Sequence, residues 1–175
     1  NGKGFDPTKK YVCLNVRDSA FHGECGDDHR NHSVNEFFDA ITYLNELGYQ
    51  VVRLGANVQE NLKLTGPFIF DYATSGIRSE LLDLYLISEC EFLVSTGSGI
   101  DNVGNLFGKR IAYFNVSQIG TLPDFSYNSI IIFKRMKIRD EILSISSIFR
   151  NSFEKITLNY KFEQAGISLI NNSKE

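Results

Sequence analysis

The sequence predicts an α/β fold: one Rossmann-like domain over residues 1–175, with an open parallel sheet and helices on both faces. Short, almost wholly apolar runs rich in β-branched residues recur along the chain, as strands buried on both faces do. Between them lie segments that open on helix caps, run for helical lengths and close at glycine. Strand and helix therefore alternate, the pattern of βαβ units feeding a parallel sheet.

Taken in order, Tyr11–Val16 is the first strand and ends in charge at Arg17 and Asp18. Residues 19–32 are rich in Gly, Asp and His without any period, which predicts a loop. Ser33 and Glu36 make a capping box ahead of Phe37, Phe38, Ile41, Leu44 and Leu47, a helix closed by Gly48. Gln50–Leu54 is a second strand stopped by Gly55, and Phe68–Phe70 a third before Asp71 and Tyr72. Ser79–Cys90 is helical in length. Its leucines, Leu81, Leu82, Leu84 and Leu86, are assigned to the core with Phe37 and Phe38. Phe92–Val94 is a fourth strand, Ser95–Gly99 the turn after it, and Ile100–Phe107 a short helix ended by Gly108. Arg110–Phe114 and Ile130–Phe133 are the fifth and sixth strands, and Asp140–Phe149 the last helix; Met136 is given no role.

Composition excludes several partners. Eighteen basic against 21 acidic residues give a net charge of -3, which provides no basic field for a nucleic-acid backbone. No apolar run approaches the roughly 20 residues of a membrane span, and the first ten residues lack a signal-peptide core. A cytoplasmic location is expected, free or peripheral at the inner face of the membrane. Cys13, Cys25 and Cys90 form no spaced framework and are expected reduced. The chain begins at Asn1, and Ser173 resembles an N-cap with no helix after it, so a fragment of a longer two-domain protein is expected.

In such a sheet, ligands sit at the carboxyl ends of the strands. Ser95, Thr96, Gly97, Ser98 and Gly99 form the richest of those ends: small residues at a strand-to-helix turn leave backbone N–H groups uncovered for an anion. The alternative is a tight turn with glycine for geometry alone. The turn is no nucleotide P-loop, because Val103 stands where Gly is needed and Lys109 precedes Arg110. Nor is it a dinucleotide fingerprint, because Asn102 stands at the third Gly. A serine-hydrolase elbow needs Gly where Thr96 stands, and every His lies upstream. Arg17 and Arg53 at strand ends suit a diphosphate, since a guanidinium forks onto phosphate with two donors. Their alternative is ion pairing, Arg17 with Asp18 or Asp71. His22, Cys25, His29 and His32 cluster beside Glu24, Asp27 and Asp28, but at no standard zinc spacing, so no metal is expected.

Val16–Ala20, Arg30 and Asn31 before the capped helix, Gly48–Gly55, Asp71–Ala73, Ser95–Gly99 and Phe107–Lys109 together resemble a family of bacterial glycosyltransferases linked to surface polysaccharide synthesis. The similarity spans most of the chain. Asn15–Arg17 is more distantly similar to the His-x-Arg motif of fucosyltransferases, with Asn15 where that motif has His. The resemblance implies the C-terminal, donor-binding domain of a GT-B glycosyltransferase, working on a nucleoside-diphosphate sugar and a glycan or lipid-linked acceptor, with neither metal nor other cofactor. It implies donor binding by Arg17, Arg53, Gly55, Asp71, Tyr72 and the residues of Ser95–Gly99. Asp18 would hold Arg17 or act as base, with His22 and His29 as further bases. A non-catalytic nucleotide-binding module and a sugar-nucleotide epimerase are the alternatives.

Overall fold

The computed structural model describes residues 5–6, 8–20, 28–121 and 128–172, the side chain of Asp28 excepted. Six strands form one parallel sheet: β1 (Tyr11–Asn15), β2 (Gln50–Leu54), β3 (Ile69–Asp71), β4 (Phe92–Ser95), β5 (Arg110–Val116) and β6 (Ile130–Phe133). Their spatial order is β3-β2-β1-β4-β5-β6. The chain builds outward from β1 to one edge, returns to the centre and builds from β4 to the other, the doubly wound Rossmann arrangement. Asn15 is in register with Leu54 on one side and Ser95 on the other, so the carboxyl ends of the central strands lie level.

The continuous apolar reading of β1 has a direct cause, since successive side chains enter different cores. Tyr11 and Cys13 join a cluster with Leu86 and Ile87 of α2 (Glu80–Glu89), against which Val103 of α3 (Asp101–Leu106) also packs. Val12 and Leu14 join a second cluster with Phe37 and with Ile41 of α1 (Phe38–Glu46). Cys13 and Cys90 are buried free thiols on the first of these faces.

Ser33 caps as expected, but it opens a 3-10 turn, Val34–Phe37, from which α1 continues. Glu36 does not complete the reciprocal box; its Oε2 accepts from Asn171 Nδ2 at 3.3 Å. Ser79 caps α2, its Oγ accepting from Leu82 N at 3.2 Å. The leucines of α2 correct one expectation: Leu86 is buried, whereas Leu81 is 78% and Leu84 42% exposed. The helix puts Leu86, Ile87 and the following Cys90 toward the sheet, which turns Leu81 and Leu84 outward.

A second correction concerns residues 140–149. β7 (Arg135–Ile138) turns through Arg139, at φ 53°, and Asp140 into β8 (Glu141–Ile142). The helix starts later, as α4 (Ile145–Arg150), because Ser144 caps it by accepting from Ser147 N at 3.2 Å. After α5 (Asn159–Gln164), β9 (Ile167–Ile170) pairs antiparallel with β7 and completes a three-stranded sheet. Met136 gains a role here, packed with Ile148, Phe162 and Ile167 in a small separate core. Asn172 ties this unit to the main sheet: its backbone N and Nδ2 donate to Asn115 Oδ1 at 2.8 and 2.9 Å. Among the described residues, no helix is long and apolar enough to cross a membrane.

Candidate functional site

The strand order reverses between β1 and β4, and a crevice opens outside the carboxyl ends of strands at such a point. β1 leads into it through Val16, Arg17 and Asp18, and β4 through Thr96–Gly99. Polar bonds join the two exits. Thr96 N donates to Asn15 O at 3.2 Å, Arg17 N to Thr96 Oγ1 at 3.0 Å, and Asn15 Nδ2 to Ser98 Oγ at 2.7 Å. Arg30, at the end of a 3-10 turn, reaches the same place and donates from Nη2 to Gly97 O at 3.0 Å.

Two cavities flank the Ser98–Gly99 turn and share Arg30, Ser98 and Gly99. One, of about 310 Å³, brings Arg17, Arg30 and Arg78 together with Asp18 and Asp83, so three guanidiniums face two carboxylates. Arg78 is paired with Asp83, Nη2 to Oδ2 at 2.6 Å. The other cavity, of about 410 Å³, continues past Asp101 and Asn102 to Tyr113, Ser117, Gln118 and Thr121.

The structure thus brings Arg17, Asp18, Gly55, Thr96, Gly97, Ser98 and Gly99 to the crevice. Gly55 is required for space, since a Cβ there would fall 2.5 Å from Val58 Cγ1. Gly97 is required for conformation, at φ +90°. Ser95 lies just beneath, fully buried, its Oγ accepting from Gly97 N at 3.1 Å. Ser98 N donates to Asp101 Oδ2 at 2.7 Å. Two amides expected to be uncovered for an anion are therefore engaged by the turn's own side chains, and only the Gly99 amide makes no hydrogen bond among the described residues.

Arg53, Asp71 and Tyr72 are placed elsewhere. Arg53 is 1% exposed and donates from Nη1 to Asp71 Oδ2 at 3.1 Å; Leu62 N donates to the same oxygen at 3.1 Å. A guanidinium held under that loop does not face the crevice. Tyr72 is fully buried, its hydroxyl donating to Ser79 O at 3.1 Å and accepting from Ser79 N at 3.0 Å, so it fastens the entry to α2. Asp18, expected to hold Arg17 or serve as base, accepts from Ala20 N at 3.0 Å and Gln59 N at 2.6 Å and joins two loops. His29 is pinned against α5, Nδ1 at 2.7 Å from Asn159 Oδ1. His22 and Cys25 lie outside the described residues.

Sequence reasoning gave no site role to Arg30, Arg78 or Asp101. The first two occupy loops at strand carboxyl ends, the same signal that singled out Arg17. Asp101 is 4% exposed; burial raises its carboxyl to about 6 from the ordinary 3.8, against the opposing influence of Ser95, the bond from Ser98 N and the nearby charge of Arg30. The folded chain therefore binds more protons here than the unfolded one between those values. The carboxyl's contribution to stability is full below 3.8 and is lost as pH rises through 6. Asp101→Asn can keep an oxygen on Ser98 N but cannot ionise. Its melting temperature relative to wild type is expected to rise between pH 4 and pH 7.5, by the equivalent of at most about 3 kcal/mol. A difference independent of pH would show an unperturbed carboxyl.

No protein-family model matches this sequence, and no curated protein matches it. Among solved structures, the chain is similar to a glycosyl transferase family 9 protein from Veillonella parvula DSM 2008, with TM-score 0.48 and 18% identity over 87% of this chain and 40% of that one. It is also similar to the dodecameric iron-containing heptosyltransferase TibC, solved with ADP-D-β-D-heptose, with TM-score 0.42 and 12% identity over 73% of this chain and 32% of that one. The chain spans less than half the length of either.

Proposed function

We propose that this chain is the donor-binding part of a GT-B glycosyltransferase that moves a sugar from a nucleoside diphosphate to a surface glycan or lipid-linked acceptor. The observation that carries the reading is the meeting of Arg17, Arg30 and Arg78 in one cavity at the switch point of the sheet. In the transfer, an acceptor hydroxyl oxygen attacks the anomeric carbon, the bond from that carbon to the diphosphate oxygen breaks, and the diphosphate leaves with the electron pair. Negative charge grows on the diphosphate, so guanidiniums already in position stabilise the transition state more than the ground state. They can do so without a metal, and transfer is expected to persist in EDTA.

The hydroxyl proton needs a base. Asp18 is engaged by two backbone amides and His29 by Asn159, so we assign this role to His22 or to a group outside this chain. The same engagement of Asp18 favours a second reading, a nucleotide-binding module without catalysis of its own. Calorimetry with UDP, GDP, CDP and ADP tests the shared part of both readings, and release of labelled sugar separates them. At a hundred times its Kd, a ligand of the native state raises stability by about 2.7 kcal/mol, which a thermal shift registers. Failure of all four diphosphates and their sugar conjugates to bind would remove the donor reading.

A further inference from the structure

The two cavities differ in chemistry. Beyond the shared Arg30, Ser98 and Gly99, the larger one carries no further cation among the described residues; its lining runs through Asp101, Asn102, Ser117, Gln118 and Thr121. Two of these side chains have unused hydrogen-bonding capacity. Asp101 Oδ1 and Ser117 Oγ are buried without a hydrogen-bond partner, in residues 4% and 3% exposed. Buried polar atoms in native proteins are nearly always paired, and an unpaired one costs stability.

The chemistry of the lining selects among the parts of a nucleotide sugar. A phosphate would meet the Asp101 carboxylate with Arg30 alone to offset it, whereas the other cavity sets three guanidiniums against two carboxylates. A nucleobase wants an aromatic or apolar slab to stack on, and Tyr113, the one aromatic residue of the lining among the described residues, is 2% exposed. A hydroxylated ring offers groups that each donate and accept, which matches a carboxylate, two hydroxyls and two amides. We propose that this larger cavity seats the sugar ring of the donor, with the diphosphate crossing the Ser98–Gly99 turn into the arginine cavity. The assignment rests on the nucleotide-sugar reading above.

The test uses calorimetry on this chain with UDP and UDP-glucose, GDP and GDP-mannose, and ADP and ADP-glucose, in wild type, Asn102→Ala and Ser117→Ala. Asn102 is exposed and the Ser117 hydroxyl is unpaired, so neither change removes a structural bond. Both variants should bind the free diphosphate within about twofold of wild type. They should lose about fivefold of the affinity for its sugar conjugate, the worth of one neutral hydrogen bond. Equal losses for diphosphate and conjugate would put the nucleoside in this cavity, and no loss for either would leave the cavity without a donor role; either result overturns the assignment. If wild type binds none of the six, the nucleotide-sugar reading fails by itself. Free glucose and mannose then decide the seat: amide shifts of Gly97 and Asn102 that vanish in Ser117→Ala keep it, and their absence ends it.

Discussion

Arg53→Leu is expected to lower stability by about 3 kcal/mol, because it strips the partner from a carboxylate held inside the protein. Arg53 is 1% exposed, its guanidinium lies 3.1 Å from Asp71, and Asp71 also anchors Leu62 N. With Asp71 19% exposed at its side chain, part of the penalty is relieved by water. For a domain of this size the loss corresponds to roughly 6–12 °C in melting temperature. The double variant Arg53→Leu with Asp71→Leu should recover much of the loss, since the unpaired charge is then gone. Diphosphate affinity per folded molecule should stay at the wild-type value. A stable Arg53→Leu protein with weakened diphosphate binding would return Arg53 to the ligand.

Arg17→Ala should do the reverse. Its side chain lines the arginine cavity two residues beyond the end of β1, and the bonds that fix this backbone, Arg17 N to Thr96 Oγ1 and His32 N to Arg17 O, do not involve the guanidinium. Loss of a charged hydrogen bond to phosphate is worth about 1.5–3 kcal/mol, or roughly ten- to hundredfold in diphosphate affinity. Melting temperature without ligand should move by no more than a few degrees. Arg17→Lys keeps the charge but not the fork and should fall between the two. Equal affinity in wild type and Arg17→Ala, measured by calorimetry, would make Arg17 a surface charge without a ligand.

The contrast between these arginines marks what the sequence could carry. Both stand near the end of an apolar run, and nothing in the run says whether a later loop will cover the last side chain. Arg53 shares its face of β2 with Val51, and the chain returning toward Leu62 closes over it; Arg17 lies past the strand, where nothing alternates. The central strands were legible because burial on both faces leaves a continuous apolar run. β7 and β8 were not, since Arg139 and Asp140 form their turn in place of the Gly or Asn that usually marks a hairpin. β9 is paired with β7 across some thirty intervening residues, a distance at which local pattern carries no information. Asp101 was hidden for another reason: an acid in the first turn of a helix is ordinary, and only the packed structure makes it buried.

The two inward-facing thiols make the unfolding of this chain observable without an engineered probe. Cys13 sits in a central strand of the sheet and Cys90 directly after α2, both sealed from solvent, so an alkylating reagent reaches either one only during an opening event. With reagent limiting, the modification rate at each sulfur reports the population of the form that exposes it, and mass spectrometry of the peptides separates the two. Equal rates would mean that helix and sheet open as one cooperative unit. A faster rate at Cys90 would mean that α2 lifts away while the strands stay paired, exposing the apolar floor beneath it in a partly open form.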